Sequence, residues 1–153
     1  MRCPFGLPAV TEQSPYDERG DPFPTTYYLT CPSLVAAVAR IEAAGGVERW
    51  TRKAADDDDL AASLLRATEE QRELRAELAD DRIGPDRGAS LAFGIGGSRT
   101  PERLKCLHAH VAFALARPRY LLGDSILEEL EPMWPESECC TNALREPGYP
   151  ARS

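Results

Sequence analysis

Residues 56–81 read DDDDLAASLLRATEEQRELRAELADD, and this run decides what kind of fold the chain can adopt. Leu60, Leu64, Ala67, Gln71, Leu74 and Leu78 recur at alternating spacings of four and three. That periodicity puts them on one narrow stripe and predicts an amphipathic helix over about 57–80 that packs on another helix. The aspartates in front place negative charge at the positive end of the helix dipole. The run holds ten acids against three bases, a net of −7 that equals the −7 of the whole 153-residue chain, so the remainder is balanced. Charge concentrated in this way repels a phosphate backbone and disfavours sequence-independent nucleic-acid binding. Its outer face reads as a solvated acidic surface or, more sharply, as a docking surface for a protein partner.

Working outward, Pro8 to Thr11 and Thr25 to Cys31 carry β-branched and aromatic residues on either side of a turn-rich loop, Ser14 to Pro22, and read as two antiparallel strands. Cys31-Pro32-Ser33 opens a helix with Leu34, Val38 and Ile41 on one face, closed by Gly45-Gly46. Downstream, Thr100 and Pro101 predict the start of a helix over about 101–117, stopped by Pro118, and a short helix follows near Asp124 to Leu130. At 153 residues and 42% hydrophobic composition the chain supports one core. The expectation is a single α+β domain over 1–153, mainly helical, with a small antiparallel sheet from the N-terminal strands. No run of 18 apolar residues occurs, and Met1-Arg2-Cys3-Pro4 opens no apolar leader, so the reading is a cytosolic protein without a membrane span.

An odd count of five cysteines in a reducing compartment argues against a disulfide framework and leaves metal ligation, catalysis or plain burial to account for them. Cys106 and His110 lie four apart in Lys105-Cys106-Leu107-His108-Ala109-His110, close enough on one helical face to ligate one metal or to form a thiolate–imidazolium pair. His108 falls among Leu104, Leu107, Val111 and Leu115, where a core histidine bonded to a backbone carbonyl is expected. Cys3, Cys31, Cys139 and Cys140 each stand beside a proline or a predicted break rather than within an apolar run, which leans toward ligation. No Cys-x-x-Cys knuckle is present, so such a site must be assembled from remote parts of the fold. The leading expectation is a closed structural zinc site that draws on Cys3, Cys31, Cys106, His110 and one of Cys139 and Cys140. An iron–sulfur cluster on the same cysteines is the lesser metal alternative. The alternative from another class is a thiol enzyme or redox protein with Cys106 as nucleophile and His110 as base.

Gly94-Ile95-Gly96-Gly97-Ser98 stands directly before the predicted start of that same helix. A helix N-terminus there, with Arg99 adding charge, would let Gly96, Gly97, Ser98 and Arg99 cradle phosphate or another anion. The loop lacks the ending of a nucleotide-binding P-loop, and a connector whose glycines permit positive φ is the plainer reading.

Cys3-Pro4-Phe5-Gly6-x-Pro8, the run Pro22 to Pro32, the glycine loop, and Lys105 to His110 together resemble the actinobacterial domain-of-unknown-function 501 family, over nearly the whole chain. The resemblance implies a small cytosolic bacterial protein without an assigned activity, and supplies no catalytic residues. Where that family's pattern has Asn-Pro before a glycine, this chain has Arg119-Tyr120-Leu121-Leu122-Gly123.

Overall fold

The computed structural model describes residues 1–141; residues 142–153, the end of the expected domain, lie outside the described span. The long acidic run forms α3, Asp58–Ala79, and Asp57 caps it by accepting from the Asp59 and Leu60 amides at 3.0 and 3.1 Å, a cap that stabilises a helix by about 1 kcal/mol. Leu60, Leu64, Ala67 and Gln71 are buried as the stripe requires, whereas Leu74 and Leu78 are half-buried and Arg75 goes fully inside. Arg75 reaches the carbonyl of Phe23 at 2.8 Å and so ties the long loop between the strands to this helix. On the outer face Glu70 accepts from Arg117 at 2.6 Å and Glu69 from Arg72 at 3.2 Å, so part of the acidic surface is already paired within the chain.

Strand β1, Val10–Glu12, runs antiparallel to β2, Tyr27–Leu29, in the register Val10 to Leu29 and Glu12 to Tyr27. Helix α1, Pro32–Ala43, buries Leu34 and Val38 completely. Gly45, at φ +80°, turns the chain, but the glycine pair does not end the helical region: a second helix, α2, Gly46–Asp56, starts at once. Its buried face is Trp50 and Ala54, and the Trp50 Nε1–H donates to Glu129 at 3.0 Å while Lys53 lies over the ring at 4.3 Å.

Helix α4, Leu107–Ala116, is the centre of the molecule and packs against β2, α1 and α5 (Leu121–Glu128). It is apolar nearly all round, as a fully enclosed helix must be. Leu107, Val111 and Ala112 are wholly buried, and Phe113 meets Tyr27 and Tyr120 edge-on at 5.8 and 5.7 Å between ring centres. Burying each large aliphatic side chain in this layer contributes roughly 1.5–3 kcal/mol.

The start of α4 departs from the expected helix over 101–117. The Ser98 hydroxyl donates to the carbonyls of Thr100 and Arg103 at 2.8 and 3.1 Å and accepts from the Thr100 amide at 3.3 Å. Those bonds use groups that a first helical turn needs, and residues 101–105 fold as turns and bends instead. Helix α5 likewise begins three residues before the expected Asp124, with the Leu122 amide donating to Ser63 of α3 at 3.3 Å. Among the described residues, five α-helices on a two-stranded antiparallel sheet make the fold α+β and mainly helical. No described helix is long and apolar enough to cross a membrane.

Candidate metal centre

Because α4 begins at Leu107, Cys106 is its N-cap, with extended backbone at φ −158° and ψ 122°. The 100°-per-residue geometry that pairs residues four apart does not apply to a residue outside the helix. His110 makes no hydrogen bond to Cys106, because its Nε2 has no partner among the described residues. It is 1% exposed, its Nδ1 shares a hydrogen bond of 2.7 Å with the Tyr120 hydroxyl, and burial pushes its pKa down to about 3. The expected Cys106–His110 pair is corrected on this point: His110 is the core histidine of the helix, and the thiolate–imidazolium reading loses its base.

His108 takes the place beside Cys106. Glu42, near the end of α1, reaches across to the bare start of α4, where one carboxylate oxygen accepts the Leu107 amide at 2.6 Å. A carboxylate at that position complements both the unpaired N–H groups and the helix dipole. Its other oxygen stands 3.2 Å from His108 Nδ1. His108 Nε2 lies 3.2 Å from the carbonyl of Val35, an acceptor only, so this nitrogen carries the proton and donates. Nδ1 is then the nitrogen aimed at Glu42 and Cys106. The three donor atoms, one each from Glu42, Cys106 and His108, lie within 4.8 Å of one another, and no other such trio occurs among the described residues.

All three residues are half-buried. Cys106 and His108 open onto a recess of about 340 Å³ whose other walls include Tyr27, Tyr28, Leu29 and Val35. Burial, and next to it the Glu42 carboxylate, raise the Cys106 thiol pKa against the opposing pull of the Ala109 and His108 amides. A thiol in this setting is protonated and a poor nucleophile unless a cation sits beside it.

The glycine loop serves this site by packing. Gly96, at φ +69°, brings the loop so close to α4 that a Cβ there would stand 3.2 Å from the Ala109 Cβ and 3.7 Å from that of Cys106. A Cβ on Gly97, at φ +74°, would come within 2.7 Å of Pro24. The amides of Gly94 and Gly97 bond within the loop, to Ser98 O at 2.7 Å and Gly94 O at 3.0 Å. With no helix starting at residue 101, Gly96, Gly97, Ser98 and Arg99 lack the N-terminus that the anion cradle required, and Arg99 stacks on Phe93 at 5.2 Å.

The remaining sequence-predicted ligands sit elsewhere. Cys3, Cys31, Cys139 and Cys140 all line one recess between the chain start and the segment after α5, and none of them borders the Cys106 recess. Glu42 has no sequence signature, since its partner amide is 65 residues away. His108 was within reach of the sequence once the helix start was placed correctly.

No curated protein and no solved structure matches the chain. The family model described as a protein of unknown function, DUF501, matches residues 1–128, a span that includes Glu42, Cys106 and His108 and ends before Cys139 and Cys140. By that match the chain is a member of the DUF501 family.

Proposed function

We propose that the chain is a zinc-binding protein whose ion is held by Glu42, Cys106 and His108 and keeps a fourth position free toward the adjoining recess. The observation that carries this reading is the His108 ring. One nitrogen is committed to the Val35 carbonyl and the other faces a carboxylate and a thiol. A backbone carbonyl on the second nitrogen is the usual support of a metal-ligating histidine, because it fixes the tautomer and the ring orientation. A thiol, an imidazole and a carboxylate suit a borderline ion such as zinc, whose bonds of about 2.0–2.3 Å need only a modest contraction of the present cluster. The ion also answers the raised Cys106 pKa, since a coordinated thiol is deprotonated outright.

Three protein ligands leave room for water or a small donor molecule, the arrangement of zinc sites that bind or activate a ligand. The apolar and tyrosine-lined recess supplies a partly dry pocket for that fourth ligand. All five cysteines are free thiols, which suits the cytosol as the compartment we assign.

The reading is tested by zinc competition against a chromophoric chelator, with the reduced full-length chain and its Cys106→Ser, His108→Ala and Glu42→Gln variants. The account expects each variant to lose one tight equivalent relative to the parent. Unchanged zinc affinity and stoichiometry in all three would rule it out.

A further inference from the structure

Four of the five cysteines meet at a place that the Glu42–Cys106–His108 cluster does not touch. Cys3 comes from a tight turn closed by the Cys3 amide on Leu7 O at 2.8 Å and by the Gly6 amide on Cys3 O at 2.9 Å. Cys31 is the N-cap of α1, and Cys139 and Cys140 arrive from the segment that follows α5. All four line a single recess of about 380 Å³ whose other walls are mostly apolar and carry no charged side chain. Cys3, Cys31 and Cys139 are buried, and Cys140 is half-buried. The Sγ atoms of Cys31 and Cys140, 109 residues apart in sequence, stand 3.8 Å from each other.

That separation is a direct thiol–thiol contact, and it also equals the span of two ligands on one ion. Two thiolates on one tetrahedral zinc, with Zn–S bonds of about 2.3 Å, lie roughly 3.8 Å apart. A disulfide would bring the sulfurs to about 2.05 Å, and no such bond is present among the described residues. Cys3 and Cys31 also pack with Ala9 and Leu34 in a small apolar cluster, with Cys140 against it, and the recess opens beside them. We propose that Cys3, Cys31, Cys139 and Cys140 form a second, closed zinc site that fastens the segment after α5 to the start of the chain.

Cys31 and Cys140 are in contact, whereas no three of the four sulfurs lie within 4.8 Å of one another, so an ion would have to draw Cys3 and Cys139 inward by side-chain rotation. Each thiol gives up its proton on ligation, so uptake of one zinc ion releases protons and leaves the site anionic. The N-terminus of α1 opposes that charge, because Cys31 is its N-cap residue and the helix dipole is positive there. With four protein ligands no position stays open, so the site is structural. The inference does not depend on the Glu42–Cys106–His108 reading.

The test uses the full chain carrying Cys106→Ser, so that cobalt–thiolate absorption can arise only from the four remaining cysteines. After reduction and chelation, cobalt(II) titration should give one equivalent with a thiolate charge-transfer band, displaced by zinc. The band should be lost on adding Cys31→Ser together with Cys140→Ser. In the parent sequence, zinc should slow alkylation of Cys3, Cys31, Cys139 and Cys140, read by peptide mass, by roughly tenfold or more. This second readout needs no variant to fold. Absence of the charge-transfer band, a band that survives the double substitution, or alkylation at equal rates with and without zinc would each overturn the proposal. So would isolation of the reduced chain with iron and inorganic sulfide in place of a single ion.

Discussion

His108 and His110 are two residues apart on one helix and live in opposite chemical worlds. His110 points into the core, where every neighbour is protein and its own burial holds the ring neutral. His108 stands at the rim of a recess, one nitrogen held by a carbonyl and the other turned to a carboxylate and a thiol. The difference shows that which side chain stands beside Cys106 is decided by where the helix begins. A start at Leu107 rather than Pro101 takes Cys106 off the helical surface and gives it His108, not His110, as its neighbour.

The largest effect that would sharpen this contrast is on stability. His110→Ala leaves a cavity and strands the Tyr120 hydroxyl, and should destabilise the metal-free chain by about 2–4 kcal/mol in urea unfolding. A loss below about 1 kcal/mol would show that His110 is not the packed core residue described here.

The next effect is on pH dependence. Folded His110 takes up a proton only near pH 3, while an unfolded histidine does so near 6.5, so between those values the unfolded state binds more protons. Stability contributed by neutral His110 is therefore complete above about pH 6.5 and falls as pH drops through that window. From pH 7 to pH 5 the loss from this one group should be about 2 kcal/mol, measured with chelator present. His110→Gln should flatten the profile by that amount; an identical profile would contradict the burial argument.

A smaller effect separates the rim from the core. Glu42→Gln keeps an oxygen for the Leu107 amide but removes the charge facing His108. Zinc affinity should fall by at least about tenfold, since even outer-sphere partners of a metal cost that much. Smallest of all, His108→Ala should change metal-free stability by no more than about 1 kcal/mol, because the ring and its Glu42 partner stay 27% and 25% exposed. A loss as large as that of His110→Ala would make His108 structural and erase the contrast.

The residues explain how far the fold could be read beforehand. Helix α3 was legible because its stripe is long and its capping aspartates are local, and the strand pair because the loop from Ser14 to Pro22 is dense in turn formers. Helix α2 was hidden by reading Gly45-Gly46 as a stop, although Val47, Trp50 and Ala54 carry a helical spacing that would have revealed it. The start of α4 depends on the Ser98 hydroxyl holding two carbonyls from the following turn, a tertiary choice that local propensity does not encode. Cys3, Cys31, Cys139 and Cys140 line one recess, and nothing local in the sequence marks its separation from Cys106. Glu42 joins Cys106 and His108 only through folding, since its partner amide is 65 residues away.

The most direct measurement is a long-range ¹H–¹⁵N correlation spectrum of the two imidazoles during zinc titration of the full-length chain. With only two histidines, each ring is assigned by its Ala variant. The account predicts that His108 Nδ1 shifts to a metal-bound position while its Nε2 stays protonated, and that His110 does not move. A zinc-dependent shift at His110, or none at His108 under saturating zinc, would contradict it.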